Sequence, residues 1–387
     1  SVGQESGMEI GILKENEHIE QRVALSPVGV QTLTSLGHTV YVQKRAGALA
    51  LFSDEEYQNA GATVVYSAEE IVNRSELILK VAPPTLDELR SFEKDQVLFS
   101  FLHLAVSQEK LIKELLTKDI IAVSYELIEN SRGELSILQV MSEIAGQLSM
   151  QVAAHYLQGQ QGGRGILLGS LPGIPPASVV VLGAGAVGKT ATRVALGMGA
   201  SVTIIDQDLS RLRDIENLFQ WRVSTVLATP GNIARAVRYA DALIGAILIK
   251  GEKSPHLVTE SMVQTMKKGS VIIDVSIDQG GCVATSRPTR LDDPIFVQHG
   301  VVHYCVPNMA SSVSRTATIA LTNALLPYVR EVADLGIRRA VQADPGFAKG
   351  VCVFDGKCTN SPIAKVFNLQ WQDLSQMIAR MFEPMKN

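Results

Sequence analysis

The apolar run SVVVL (178–182) passes without a break into GAGAVGKT (183–190). A buried strand that ends in glycines and then opens a helix is the unit from which parallel sheets with helices on both faces are built. The eight residues satisfy two phosphate-binding patterns. Read as G-x-G-x-x-G, the glycines are Gly183, Gly185 and Gly188. Read as G-x-x-x-x-G-K-[ST], the set is Gly183, Gly188, Lys189 and Thr190. The first pattern holds a dinucleotide, the second a nucleoside triphosphate. Alone, either is weak, because a tight strand-to-helix turn needs glycines too.

Context separates them. A dinucleotide fold places an acidic residue at the end of the second strand, about 20 residues on, to bond the ribose 2′-hydroxyl. SVTIID (201–206) ends in Asp206, 18 residues after Gly188. The pyrophosphate would lie over the helix starting near Ala186, against free N–H groups and the helix dipole. The P-loop NTPase alternative finds an acidic strand in VIID (271–274). It leaves Gly185 and Asp206 without a purpose, however, and Lys189 is more cheaply read as a solvent-facing helix residue than as a phosphate-binding lysine. The Asp206 carboxylate would repel a 2′-phosphate, so the expected cofactor is NAD and not NADP.

The alternation continues through the whole chain. Before the glycine loop come β-rich runs at 9–14, 38–44, 76–82, 97–102 and 120–126, with helical stretches such as 26–37 and 107–118 between them. Ser26 and Pro27 suit an N-cap and first helical residue, and Gly37 a stop. A long helix over 138–158 leads into a Gly/Pro-rich break. A second series has strands at 178–182, 201–206, 224–228, 241–246, 270–276 and 301–306, then a long helix over 315–336. The expected fold is two doubly wound α/β domains, the second a Rossmann NAD-binding domain inserted into the first. The expected boundaries are 1–137 plus 316–387 for a catalytic domain and 138–315 for the NAD domain, with the C-terminal tail packing back on the first.

A length of 387 residues allows two or three domains. A net charge of −4 gives no basic patch for nucleic acid. The four cysteines lack metal-like or disulfide-framework spacing, so no metal is expected and a reducing cytoplasm is. The N-terminal SVGQESGMEI lacks the regions of a signal peptide, and no apolar run reaches the ~20 residues that span a bilayer. Neither membrane nor nucleic acid is an expected partner.

Ligands of open α/β sheets collect beyond the carboxyl ends of strands. At one such end Asp278 precedes Gly280 and Gly281 in IDQGGC, where it would orient water or hold a proton; the competing reading is a turn-capping carboxylate. Asp274, inside the strand, reads as a structural hydrogen-bonding group. His103 follows VLFSFL at another end and suits general acid/base work, though a lone histidine there is more often structural. Arg22 suits a carboxylate clamp but from the residues alone reads as a surface arginine. Asn308, in VPNMASSVSRT, suits a ligand amide or carboxylate.

Taken together, NEHIEQRVALSPVGV, LFSFLHLA, MSEIAGQLSMQVAAHYL, GGRGILLG, VLGAGAVG, IDQGGC, HGVVHYCVPNM and ALTNALLPYV resemble the alanine dehydrogenase family over nearly the whole chain. More distantly they look like the NAD(H)-binding component of proton-translocating transhydrogenase. The resemblance implies NAD-linked interconversion of L-alanine with pyruvate and ammonia, in a cleft between a split catalytic domain and an inserted NAD domain, usually in a hexamer. It implies His103 and Asp278 as the acid/base pair, Arg22 as the carboxylate-binding arginine and Asp206 as the ribose-binding acid. Ser142, Ala186, Val187, Arg211, Ile247, Leu248, Ile277 and the Val306–Met309 loop match cofactor-contact positions. The family's K-V-K-E-P run, whose second lysine bonds the substrate, is here Lys80-Val81-Ala82-Pro83-Pro84. Lys80 shares a strand face with Ala82 but is tethered about 6–7 Å farther back. Either substrate binding is rearranged around Lys80, or the substrate is not alanine, or the protein binds NAD and catalyses little.

Overall fold

The computed structural model describes residues 7–249 and 253–382. The first six residues of the N-terminal stretch considered above, and the two outer limits of the expected catalytic domain, lie outside them. Its strands are β1 (Glu9–Ile12), β2 (Thr39–Gln43), β3 (Thr63–Val65), β4 (Leu77–Leu79), β5 (Val97–Ser100), β6 (Ile121–Ser124), β7 (Ser178–Leu182) and β8 (Ser201–Asp206). They continue as β9 (Ser224–Leu227), β10 (Ala242–Gly245), β11 (Val271–Asp274), β12 (Ile295–Gln298), β13 (Val301–Tyr304), β14 (Val351–Phe354) and β15 (Lys357–Cys358). Five helices matter to the site: α1 (Pro27–Ser35), α2 (Leu86–Leu89), α3 (Ser136–Tyr156), α4 (Ala186–Gly197) and α5 (Ser314–Leu335).

The chain divides into two compact units, Ser1–Met141 with Ser311–Asn387, and Ser142–Ala310. The first contains an eight-stranded sheet in the order β15-β14-β6-β5-β4-β1-β2-β3. β4, β5 and β6 are buried at every residue, as strands covered on both faces must be. The second contains a seven-stranded sheet in the order β12-β13-β11-β10-β7-β8-β9. In each, chain order runs outward from a central strand and then reverses, the doubly wound pattern, with switch points between β1 and β4 and between β7 and β10.

Both sheets are mixed, not purely parallel. β14 pairs antiparallel with β6, and β12 with β13. β14 turns into β15 through Asp355 (φ 47°) and Gly356 (φ 66°), two positive φ values that make the tight hairpin turn an Asp-Gly pair favours. These short strands at or next to a sheet edge, and the three-residue β3, escape a search for long apolar runs.

At the start of α1, Ser26 makes no side-chain cap bond. Its N–H instead donates to Thr322 Oγ1 of α5 (2.8 Å), and the Val23 N–H donates to Thr318 Oγ1 (3.2 Å). These two buried threonines fix the segment that follows Arg22. Among the described residues, no helix is long and apolar enough to cross a membrane.

Candidate active site

In the second unit the glycine loop leaves β7 at the switch point. Gly183 has φ +105°, and a Cβ there would stand 2.4 Å from the Ala246 carbonyl oxygen, so the loops after β7 and β10 touch backbone to backbone. A Cβ on Gly188 would stand 1.8 Å from the Gly183 oxygen. At Gly185 a Cβ would meet nothing within 4 Å, so this face of the loop is open. α4 starts there without a side-chain cap, which leaves its first N–H groups to an anion. Thus Gly183 and Gly188 are required by packing, and Gly185, Ala186 and Val187 form a cradle that fits a pyrophosphate.

Asp206, at the end of β8, is buried and closes the loop from below. Its Oδ2 accepts the Ala184 N–H (2.7 Å) and its Oδ1 the Asp208 N–H (2.9 Å). Each carboxylate oxygen has a second lone pair, so a ribose hydroxyl can still donate to it. Arg211 lies 4.0 Å from Oδ2. Behind α4, a Cβ on Gly146 of α3 would stand 2.6 Å from the Val187 oxygen, so close helix packing joins the segment after Ser142 to the cradle.

Beyond β10, the Ile247 N–H donates to Ser276 Oγ (2.8 Å), and Leu248 is exposed. Ile277, Val306 and Met309 are buried. Asp278 Oδ1 accepts the N–H of Asn308 (2.8 Å), a residue with φ 53°, so the turn after β11 is tied to the loop after β13. Asp274 accepts bonds from Ser286 Oγ (2.6 Å) and from the Cys282 and Val283 amides. Burial raises its pKa against those donors. Its role is structural.

In the first unit, four parallel strands deliver charged side chains at their carboxyl ends. Arg22, in the loop after β1, is only 3% exposed, so the surface-arginine reading is overturned. Glu20 holds it in a two-point pair, Nε to Oε1 at 2.7 Å and Nη2 to Oε2 at 2.8 Å, and its guanidinium lies 5.6 Å from the centre of the Phe101 ring. His103, after β5, stacks on the same ring at 5.9 Å. Its N–H donates to Glu126 Oε1 (2.8 Å) at the end of β6.

Lys80, after β4, is buried. Its Nζ donates to Glu15 Oε2 (3.2 Å) and Glu88 Oε1 (3.0 Å). Burial opposes its charge, but the two carboxylates outweigh this and raise its pKa. Glu15 also accepts the Val81 N–H (2.6 Å), and Ala82 N lies 3.4 Å from its other oxygen. Lys80 therefore has two carboxylate partners at the β1/β4 switch point, and a substrate would have to compete with both.

Phe101 thus brings Arg22 and His103 to one ring, while Lys80 is held by its own carboxylates. Sequence reasoning passed over Glu15, Glu20, Glu88, Phe101 and Glu126. One signal was available: Glu126 ends an apolar strand run just as His103 and Asp206 do.

The model of the alanine dehydrogenase/PNT N-terminal domain matches residues 11–145, and that of the alanine dehydrogenase/PNT C-terminal domain matches 149–361. The chain belongs to this family. The N-terminal match contains Arg22, Lys80, His103 and Ser142; the C-terminal match contains the glycine loop, Asp206, Asp278 and Asn308. Among relatives of this alanine dehydrogenase/PNT protein, the alanine dehydrogenase of Methanococcus maripaludis is 44% identical over 365 residues, covering 94% of this chain and 98% of its own. That of Staphylococcus haemolyticus is 44% identical over 372 residues, covering 96% and 99%. A solved L-alanine dehydrogenase superposes with a TM-score of 0.86 at 45% identity, covering 93% of this chain and 99% of its own. A transhydrogenase from Sinorhizobium meliloti shares the fold, with a TM-score of 0.76 at 24% identity over 91% of this chain and 99% of its own.

Proposed function

We propose that the protein is an NAD-dependent oxidoreductase acting on the CH–NH2 group of an amino acid, converting L-alanine, NAD and water to pyruvate, ammonia and NADH. The observation that carries this reading is the 44% identity to proteins named alanine dehydrogenase over 94–96% of the chain. The open face at Gly185 and the Asp206 carboxylate support NAD as the cofactor.

In this reading the first unit, with its C-terminal return, is the catalytic domain and the second binds NAD. NAD held by the second unit would supply the acceptor for the hydride of the substrate Cα. Arg22 binds the substrate carboxylate, and Asn308 contributes an amide. His103 and Asp278 hold and move the protons of imine hydrolysis: one takes a proton from water as its oxygen adds to the imine carbon, and the other gives one to the departing amine. Asp206 takes the ribose hydroxyl; Ser142, Arg211, Ile247, Leu248, Ile277, Val306 and Met309 line the rest of the cofactor. The protein works in the cytoplasm as a homo-oligomer, a hexamer or a dimer.

A panel of amino acids with NAD, and of 2-oxo acids with ammonia and NADH, followed by NADH absorbance, tests the proposal. Turnover strongest on alanine and pyruvate is expected. No turnover of any member, in folded protein that binds NAD, overturns it. A second reading, an NAD-binding protein of this fold with little or different catalysis, is favoured by one observation: Lys80 is held by Glu15 and Glu88 while Ala82 carries no charge.

A further inference from the structure

Two neighbouring atoms at the ends of β5 and β6 share an unusual state. The His103 Nδ1 is buried and has no hydrogen-bond partner, and so is Oε2 of Glu126. The nearer carboxylate oxygen, Oε1, lies 3.9 Å from Nδ1, about 1 Å beyond hydrogen-bond length. Glu126 is itself 5% exposed. A buried carboxylate oxygen and a buried ring nitrogen without partners are costly unless such groups pair at some stage.

The backbone explains why they are close. His103 has φ 44° and ψ 42°, a left-handed conformation that is uncommon for a residue with a Cβ. Its N–H donates to Glu126 Oε1 at 2.8 Å, and the stack on Phe101 sets the ring plane. The carboxylate is therefore anchored to the backbone of the residue whose ring it faces.

We propose that Glu126 is a positioning residue for His103: its carboxylate accepts Nδ1–H, which fixes the tautomer and leaves Nε2 to exchange protons with the substrate or water. A small rotation of the imidazole closes the remaining gap. When Nε2 takes a proton from water, the O–H bond breaks and an Nε2–H bond forms. The positive charge on the ring then faces the Glu126 carboxylate, as in other histidine–carboxylate pairs. The proton-transfer part rests on the proposed activity; the tautomer does not.

The test uses the full chain labelled with 15N-histidine, the His103 signals being assigned by their loss in His103→Gln. In the neutral wild-type ring, Nδ1 is expected to carry the proton. Glu126→Gln keeps an oxygen for the His103 N–H but removes the negative charge that holds Nδ1–H, so the proton should shift to Nε2, the site a free neutral imidazole side chain prefers. kcat should then fall ~100-fold or more while KM and NAD affinity change less than about threefold, and Glu126→Asp should recover part of the loss. A wild-type ring protonated on Nε2 overturns the proposal, even if Glu126→Gln fails to fold. So does a Glu126→Gln protein with unchanged tautomer or unchanged kcat. A wild type that turns over no amino acid, with Nδ1 protonated, removes the proposed activity but leaves the positioning role standing.

Discussion

The ammonium of Lys80 and the carboxylate of Glu15 form an ion pair at 3.2 Å, with both side chains 3% exposed or less, at the point where the first sheet reverses its strand order. Glu88, from the capping box that starts α2, completes the arrangement. Breaking a buried pair from one side leaves the other charge uncompensated, at a cost of ~3–5 kcal/mol. Lys80→Met should lower unfolding free energy in urea by about that amount. Lys80→Met with Glu15→Gln should regain much of it, because the stranded charge is gone. A single variant that loses less than ~1 kcal/mol would show that the pair contributes little.

Alkaline pH should weaken the fold, with Lys80 and Tyr304 among the groups responsible. Lys80 has its pKa raised above the ordinary 10.5, so its contribution is complete below that value and is lost as pH climbs through the folded-state value. Burial pushes the Tyr304 phenol up to about 12 from 10.0. The unfolded chain ionises first, so stability falls across that interval by ~2–3 kcal/mol from Tyr304 alone. Urea titrations at successive pH values from ~9 to ~12 should show a steady fall, smaller in Tyr304→Phe. A flat profile contradicts both assignments.

Calorimetry with NAD, NADP and magnesium-ATP should rank NAD first by a wide margin. Because Asp206 also accepts the Ala184 and Asp208 amides, Asp206→Ala should weaken NAD binding as well as narrow the gap to NADP. The narrowing should be ~1–3 kcal/mol, the scale of a charge-assisted hydrogen bond. Tightest binding of magnesium-ATP would refute the dinucleotide reading.

His103→Ala should cut turnover ~100-fold or more with NAD affinity nearly intact, as expected of an acid/base group lying in the unit without the glycine loop. Retained turnover would make the histidine structural.

Ala82→Lys with Pro83→Glu restores the charges of the family's K-V-K-E-P run. A charged hydrogen bond to substrate is worth ~1.5–3 kcal/mol, so kcat/KM for alanine or pyruvate should rise roughly ten- to a hundredfold. Glu15 stands close to the Ala82 amide and would attract the new ammonium, so adding Glu15→Gln tests whether it captures the lysine. No gain in either background would mean that the wild-type site does not depend on this charge.

Local pattern was enough to read the strand–glycine–helix unit. β7 and β8 have the expected limits, and α3 and α5 lie within two residues of theirs, because long apolar periodicity and glycine punctuation depend on near neighbours in the chain. The positions of Asp206 and His103 at strand ends were legible for the same reason. β3, β12 and the hairpin of β14 and β15 were not, since strands of two to four residues at or next to a sheet edge take their conformation from the strands they pair with.

What the sequence determined by itself was the α/β alternation and the glycine loop, both written in contiguous residues. Partnership was decided only in three dimensions. Arg22 is buried because Glu20 supplies a carboxylate in the right plane and two threonines, nearly 300 positions away, hold the following backbone. Lys80 is committed to Glu15 and Glu88, 65 and 8 residues distant, and Glu126 meets His103 across 23. Coulomb attraction and hydrogen bonding fall off with distance in space and take no account of distance along the chain. A charged residue's role therefore becomes visible only when the parallel strands bring their carboxyl ends together.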